Sequence, residues 1–120
     1  MKALEDCRVL VVEDEVLIAL NVQAMLADEG CAVVGPVGSV ARALQEIAAA
    51  PVDVAVLDIN LGREKVFPVI DKLVERRVPF VLVTGHSNES LPAAMRAYPI
   101  ISKPYRQEEL IKSLLQALAR

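Results

Sequence analysis

Glu13, Asp14 and Glu15 form a run of three acids; Asp58, Thr84 and Lys103 each stand at the end of a short apolar run further along the chain. Brought into one pocket, these groups have a definite chemistry. Crowded carboxylates repel one another, and the simplest compensation is a hard divalent cation with oxygen ligands. Mg²⁺ is such an ion, taking a few carboxylates, a carbonyl and several waters. A carboxylate beside Mg²⁺ can also attack phosphorus and become an acyl phosphate. The metal and Lys103 would then stabilise charge on the transferring phosphoryl oxygens, and the Thr84 hydroxyl could donate to one of them. Taken singly each motif is weak. Acids at the start of a helix are favoured by its macrodipole, an Asp after a strand is often a turn-former, and a Lys-Pro is an ordinary turn.

The case therefore rests on the elements that must carry these residues to one place. Arg8-Val9-Leu10-Val11-Val12 is β-branched and ended by charges, and reads as a strand buried on both faces. Residues 16–29 place Val16, Ala19, Leu20, Gln23 and Leu26 at helical spacing, with Gly30 as the stop. Ala32-Val33-Val34 before Gly35-Pro36 is a brief second strand, and Ser39 is an N-cap for a helix over residues 40–50. Val54-Ala55-Val56-Leu57 is the third strand, leading into the polar loop Asp58-Ile59-Asn60-Leu61-Gly62; Pro68 then suits the first turn of a helix reaching Arg77.

Phe80-Val81-Leu82-Val83 is the fourth strand and exits at Thr84-Gly85. The segment 87–96 has helical composition but contains Pro92, so a fourth helix there is short or irregular. Ile100-Ile101-Ser102 is the fifth strand, and residues 106–119 form an amphipathic helix with Leu110, Ile111, Leu114, Leu115 and Leu118. Five alternations of strand and helix imply an open, doubly wound, five-stranded parallel sheet of the α/β class. It is flavodoxin-like, with strand order 2-1-3-4-5 and helices on both faces. In such sheets the ligand site lies beyond the carboxyl ends of the strands, where the residues after strands one, three, four and five converge.

On these residues the sequence resembles the receiver domains of response regulators in two-component systems. The resemblance runs from Val9-Leu10-Val11-Val12-Glu13-Asp14-Glu15 through Asp58-Ile59-Asn60-Leu61-Gly62 and Thr84-Gly85 to Lys103-Pro104-Tyr105. It implies that Asp58 accepts a phosphoryl group from the phosphohistidine of a histidine kinase or histidine phosphotransfer protein. It further implies that Glu13, Asp14, Asp58 and the Asn60 backbone carbonyl hold Mg²⁺. Thr84 would be the switch hydroxyl and Lys103 the phosphate-binding lysine, aimed by a cis bond to Pro104.

Receivers usually carry an aromatic residue in strand five as a rotamer switch; here Ile100 and Ile101 fill that strand, and Tyr98 lies upstream. The segment Pro79-Phe80-Val81-Leu82-Val83-Thr84-Gly85-His86 is similar in part to an atypical subgroup named for its Phe-Ala-Thr-Gly motif. Thr84, Gly85, Ile100 and Pro104 are thus the expected conformational positions. The output would be a change in binding of a downstream protein at the face made by strand four and the last helix.

Length and composition fit this reading and exclude others. The chain has 120 residues, one domain's worth, expected to span 1–120. It is 54% hydrophobic but only 3% aromatic, so its core must be aliphatic, as in helix-covered parallel sheets. A net charge of −3 with no block of like charge argues against a nucleic-acid surface. Apolar runs are strand-sized, and the first residues carry Glu5 and Asp6 where a signal peptide would be apolar, so no membrane association and a cytoplasmic location are expected.

Cys7 and Cys31 read as reduced structural thiols, each just ahead of a strand; only if those strands are neighbours could the two lie close enough to oxidise in vitro. His86 is expected in the exposed loop past Thr84. An aspartate-nucleophile phosphatase would want a second acid two residues after the nucleophile, where Asn60 stands, and a cap for which there is no room. A nucleotide or flavin module lacks its glycine-rich phosphate loop. A pseudo-receiver that works through fixed contacts is the remaining alternative. The chain is not expected to be an enzyme beyond its own phosphorylation and dephosphorylation.

Overall fold

In the computed structural model, residues 3–85 and 93–120 are described. The β-branched runs become five parallel strands: β1 (Arg8–Val12), β2 (Ala32–Val37), β3 (Val54–Asp58), β6 (Phe80–Thr84) and β7 (Ile100–Ser102). A two-stranded antiparallel hairpin, β4 (Asn60–Leu61) and β5 (Glu64–Lys65), is inserted after β3. Helices α1 (Val16–Asp28), α2 (Val40–Ala49), α3 (Phe67–Glu75) and α4 (Gln107–Leu118) cover the sheet, and a 3₁₀ turn spans Ala93–Ala97. The sheet order is β2-β1-β3-β6-β7, which is the expected 2-1-3-4-5 order once the hairpin is set aside.

Strand alternation divides the core in two, because successive side chains leave a strand on opposite faces. Leu10, Val12, Ala55, Leu57 and Leu82 point to one side and pack with Ala43 and Ile47 of α2 and Val69, Ile70 and Leu73 of α3. Val9, Val11, Val54, Val56, Val81 and Val83 point to the other and pack with Val22 and Leu26 of α1 and Leu110, Leu114 and Ala117 of α4. With both faces covered, every residue of β3 and β6 is buried, which explains their unbroken apolar runs.

Several boundaries differ from expectation. Strand β2 does not stop before Gly35-Pro36 but runs through a cis peptide there to Val37, shifting register against β1 between Leu10 and Val12. Gly35 is required at that irregularity. Its φ is +91°, and a Cβ would lie 2.9 Å from the Val37 nitrogen and 3.1 Å from the Val11 carbonyl oxygen. The loop after Asp58 is partly the β4–β5 hairpin, turned at Gly62 with φ +63°.

Helix α1 buries Ala19, Val22 and Leu26, whereas Val16, Leu17 and Leu20 are 70%, 83% and 53% exposed, so the apolar face read from spacing is rotated from the true one. In α4, Leu115 and Leu118 are likewise exposed, while Ser113 and Ala117 are buried. The Ser39 cap forms as expected, its Oγ accepting from the Arg42 N–H at 3.2 Å. Most of the irregular segment 87–96, and His86, lie outside the described residues.

Cys7 and Cys31 are free thiols at the start of the adjacent β1 and β2, where the Ala32 N–H donates to the Cys7 carbonyl at 2.8 Å. Burial raises both thiols, Cys31 to about 11, which keeps them protonated and poorly nucleophilic. Among the described residues no helix is long and apolar enough to cross a membrane.

Candidate functional site

The carboxyl ends of β1, β3, β6 and β7 meet on one side of the sheet. Glu13 follows β1 directly, and its N–H is tied to the Val37 carbonyl at 2.9 Å. Asp58 is the last residue of β3 and Thr84 the last of β6, while Lys103 follows β7 with its N–H on the Thr84 carbonyl at 2.9 Å. Parallel pairing of Asp58 with Val83 and of Thr84 with Ser102 sets these residues level with one another. The aliphatic strands behind them hold that register, since a one-residue shift would send every side chain of β3 and β6 to the opposite face, into packing formed around a different set.

Three acids gather here. One ligand oxygen each from Glu13, Asp14 and Asp58 lie within 4.8 Å of one another, Glu13 and Asp58 buried and Asp14 exposed at the rim. Lys103 bridges the two buried acids, its Nζ 2.8 Å from Asp58 Oδ2 and 2.9 Å from Glu13 Oε1. The other two oxygens accept backbone N–H groups, Asp58 Oδ1 from Asn60 at 3.0 Å and Glu13 Oε2 from Glu15 at 3.1 Å. All four oxygens of the two buried acids are thus held in fixed positions by named donors.

Burial pushes the Glu13 carboxyl up to about 7, against the hydrogen bonds from Lys103 and the Glu15 N–H and with the help of neighbouring Asp58. Burial tends to lower the Lys103 ammonium, but its hydrogen bonds to Asp58 and Glu13 and the charges of both outweigh that, and its pKa is raised. A pocket with three carboxylates and one ammonium is short of positive charge. An all-oxygen donor set with that deficit fits a hard divalent ion such as Mg²⁺.

The structure thus brings together Glu13, Asp14, Asp58, Thr84 and Lys103. Asn60 stands at the start of the β4–β5 hairpin, where its backbone N–H holds Asp58 and its side-chain oxygen accepts from Lys65 Nζ. Gly85 is half-buried at the strand exit, with open space where a Cβ would be. The Lys103–Pro104 peptide is cis. Ile100 packs with Tyr98 against the α2–α3 side of the core, and the Tyr98 ring sits 4.5 Å from the ring of Phe80, at the opposite end of β6 from Thr84. No strand-five aromatic is therefore near the pocket.

Two neighbours of the site were not read from the sequence. Ser102 Oγ lies 3.5 Å from Thr84 Oγ1, and only the β6–β7 register reveals it. Tyr105 shares the lining of a cleft with Lys103; its place just past Lys103-Pro104 was the available signal.

The family model for the response regulator receiver domain matches residues 9–115. Among solved structures, the solution structure of SdrG from Sphingomonas melonis Fr1 is similar at TM-score 0.85 and 39% identity, covering 100% of this chain and 100% of that one. The BeF3-activated conformation of SdrG from Pseudomonas melonis Fr1 is similar at TM-score 0.82 and 37% identity, covering 95% of this chain and 98% of that one. NtrX from Brucella abortus is similar at TM-score 0.82 and 31% identity, covering 93% of this chain and 26% of that one. No curated protein matches the chain.

Proposed function

The chain belongs to the response regulator receiver domains, and from that premise we propose that it is a Mg²⁺-dependent phospho-switch whose acceptor is Asp58. The observation that carries this reading is the bridge from Lys103 Nζ to Asp58 Oδ2 and Glu13 Oε1, inside a cluster of three acids whose ligand oxygens lie within 4.8 Å. A buried nucleophile, a fixed cation and a ready set of oxygen ligands are the parts that phosphoryl transfer requires.

In the proposed step a carboxylate oxygen of Asp58 attacks the phosphorus of a phosphohistidine on a histidine kinase or histidine phosphotransfer protein. The O–P bond of an acyl phosphate forms as the P–N bond breaks, and the imidazole leaves with the electron pair. Bound Mg²⁺, held by Glu13, Asp14, Asp58 and the Asn60 carbonyl, would neutralise charge on the transferring oxygens. Lys103 stabilises the same charge and holds one phosphoryl oxygen once transfer is complete. The Thr84 hydroxyl then turns from Ser102 toward the phosphoryl group. That movement shifts a pre-existing equilibrium in the face made by β6 and α4, changing which protein binds there. Hydrolysis of the acyl phosphate returns Asp58 and releases phosphate, so the chain acts on itself and turns over no other substrate.

The likeness to the BeF3-activated conformation of SdrG supports this reading, since beryllofluoride mimics an acyl phosphate on a carboxylate. Amide NMR with beryllofluoride and Mg²⁺ tests it. Shifts at Thr84, Lys103 and α4 that require both Mg²⁺ and Asp58, and vanish in Asp58→Asn, are expected. A spectrum unchanged by the additions would instead favour a pseudo-receiver that works through fixed contacts.

A further inference from the structure

Building on the phosphoacceptor reading, we propose that Tyr105 is a positioning residue that couples the charge state of the Asp58 pocket to α1. The chain has two Tyr, two Phe and no Trp. Phe80 and Tyr98 pack against each other with tilted rings at the far end of β6, and Phe67 packs on the α2–α3 side of the core. Tyr105 is the remaining aromatic, and it packs against the opposite core cluster, the one that contains Val22 and Leu26 of α1.

Its tether gives it this role. Lys103 is held at the pocket by Glu13 and Asp58 at 2.9 and 2.8 Å. Gln107, at the start of α4, is held at the other end of α1, its Nε2 donating to Asp28 Oδ2 at 2.7 Å and Glu29 Oε2 at 3.0 Å. Tyr105 lies midway along the short connection between these anchors. It lines a cleft of about 160 Å³ with Lys103, Pro104 and the α1 residues Ile18, Asn21, Val22 and Met25. The cleft therefore lies directly between the Tyr105 side chain and α1.

The ring also lies within electrostatic reach of the pocket. Its hydroxyl is pushed up to about 12, first by burial and then by the charge of Glu13, with Lys103 opposing and Asp58 adding. When Asp58 carries a phosphoryl group, Lys103 must share its ammonium with new oxygens, and the balance among those three neighbours of Tyr105 changes. The connection then has a reason to move. In this chain the path out of the pocket runs through the segment after β7 to α1.

Tyrosine emission reads this directly. In a Tyr98→Phe background, which keeps a ring against Phe80, all tyrosine emission comes from Tyr105. Mg²⁺ and beryllofluoride are added while ¹⁹F NMR counts bound fluoride and amide NMR follows Ile18, Asn21, Val22 and Met25. The coupling is supported if Tyr105 emission changes with fluoride occupancy, if Tyr105→Leu loses the α1 shifts while keeping bound fluoride and the Thr84 shift, and if Tyr105→Phe restores the α1 shifts. It is overturned if fluoride binds while Tyr105 emission stays flat, or if the α1 shifts persist in Tyr105→Leu. Absence of any bound-fluoride signal overturns the phosphoacceptor reading and the coupling with it. Should Tyr105→Leu fail to fold by circular dichroism, the emission titration decides alone.

Discussion

Lys103 places its ammonium 2.8 Å from Asp58 Oδ2, so the proposed nucleophile is held by the group expected to bind the phosphoryl oxygens after transfer. The same nitrogen lies 2.9 Å from Glu13, and the side chains involved are at most 17% exposed. Without metal, Lys103 is thus the cation that faces both buried carboxyl groups.

Replacing Lys103 with Met should leave Glu13 and Asp58 facing each other uncompensated. Breaking a buried pair from one side typically costs about 3–5 kcal/mol, and a loss of about 3 kcal/mol is expected here for the metal-free protein. Mg²⁺ should restore more stability to Lys103→Met than to the wild type, because the ion takes over the missing charge. Denaturant unfolding of both proteins with Mg²⁺ and with a chelator measures this; equal Mg²⁺ effects would show that the ion does not share the lysine's site.

Glu13 sets an expected pH dependence. Burial raises its carboxyl from 4.5 to about 7, so between those values the folded protein keeps a proton that the unfolded chain releases. Its contribution to metal-free stability is full below about 4.5 and is lost as pH rises through about 7. Mg²⁺ binding runs the other way, because a ligand carboxylate must be deprotonated. Affinity should strengthen as pH rises toward 7, by up to about tenfold per pH unit, and level off above it. Isothermal titration with Mg²⁺ on either side of that value checks the slope, and Glu13→Gln should abolish it.

Thr84 should be separable from acceptance. The residue is 4% exposed and its hydroxyl lies 3.5 Å from Ser102 Oγ, so Thr84→Val keeps the shape and removes the donor. The stability cost expected is about 1 kcal/mol. Beryllofluoride should still bind Asp58, while amide shifts along β6 and α4 shrink or vanish. Full propagation in Thr84→Val would remove the hydroxyl from the switching scheme.

What could be read from the sequence followed from strong constraints, and what could not followed from weak ones. The doubly covered sheet compels unbroken apolar runs such as residues 54–57 and 80–83, and the rule that sites form at strand ends then groups Glu13, Asp58, Thr84 and Lys103. Helix faces were less legible. Val16 and Leu20 match a helical period as well as Ala19, Val22 and Leu26 do, and only packing against β1 and β2 decides which set is inside. The β4–β5 hairpin was missed because two-residue strands carry no periodicity. The continuation of β2 through Gly35-Pro36 was missed because that dipeptide ordinarily marks a turn. Ser102 near Thr84 depends on inter-strand register, which pattern alone leaves open.

The central claim, that Asp58 carries the phosphoryl group, is tested most directly by intact-protein mass spectrometry after incubation with Mg²⁺ and the small phosphodonor acetyl phosphate. The wild type should gain the mass of one phosphoryl group, dependent on Mg²⁺ and labile to base, while Asp58→Asn, folded by circular dichroism, gains none. An unmodified wild type, or an Asp58→Asn variant that takes up the group as well as the wild type does, would contradict the account.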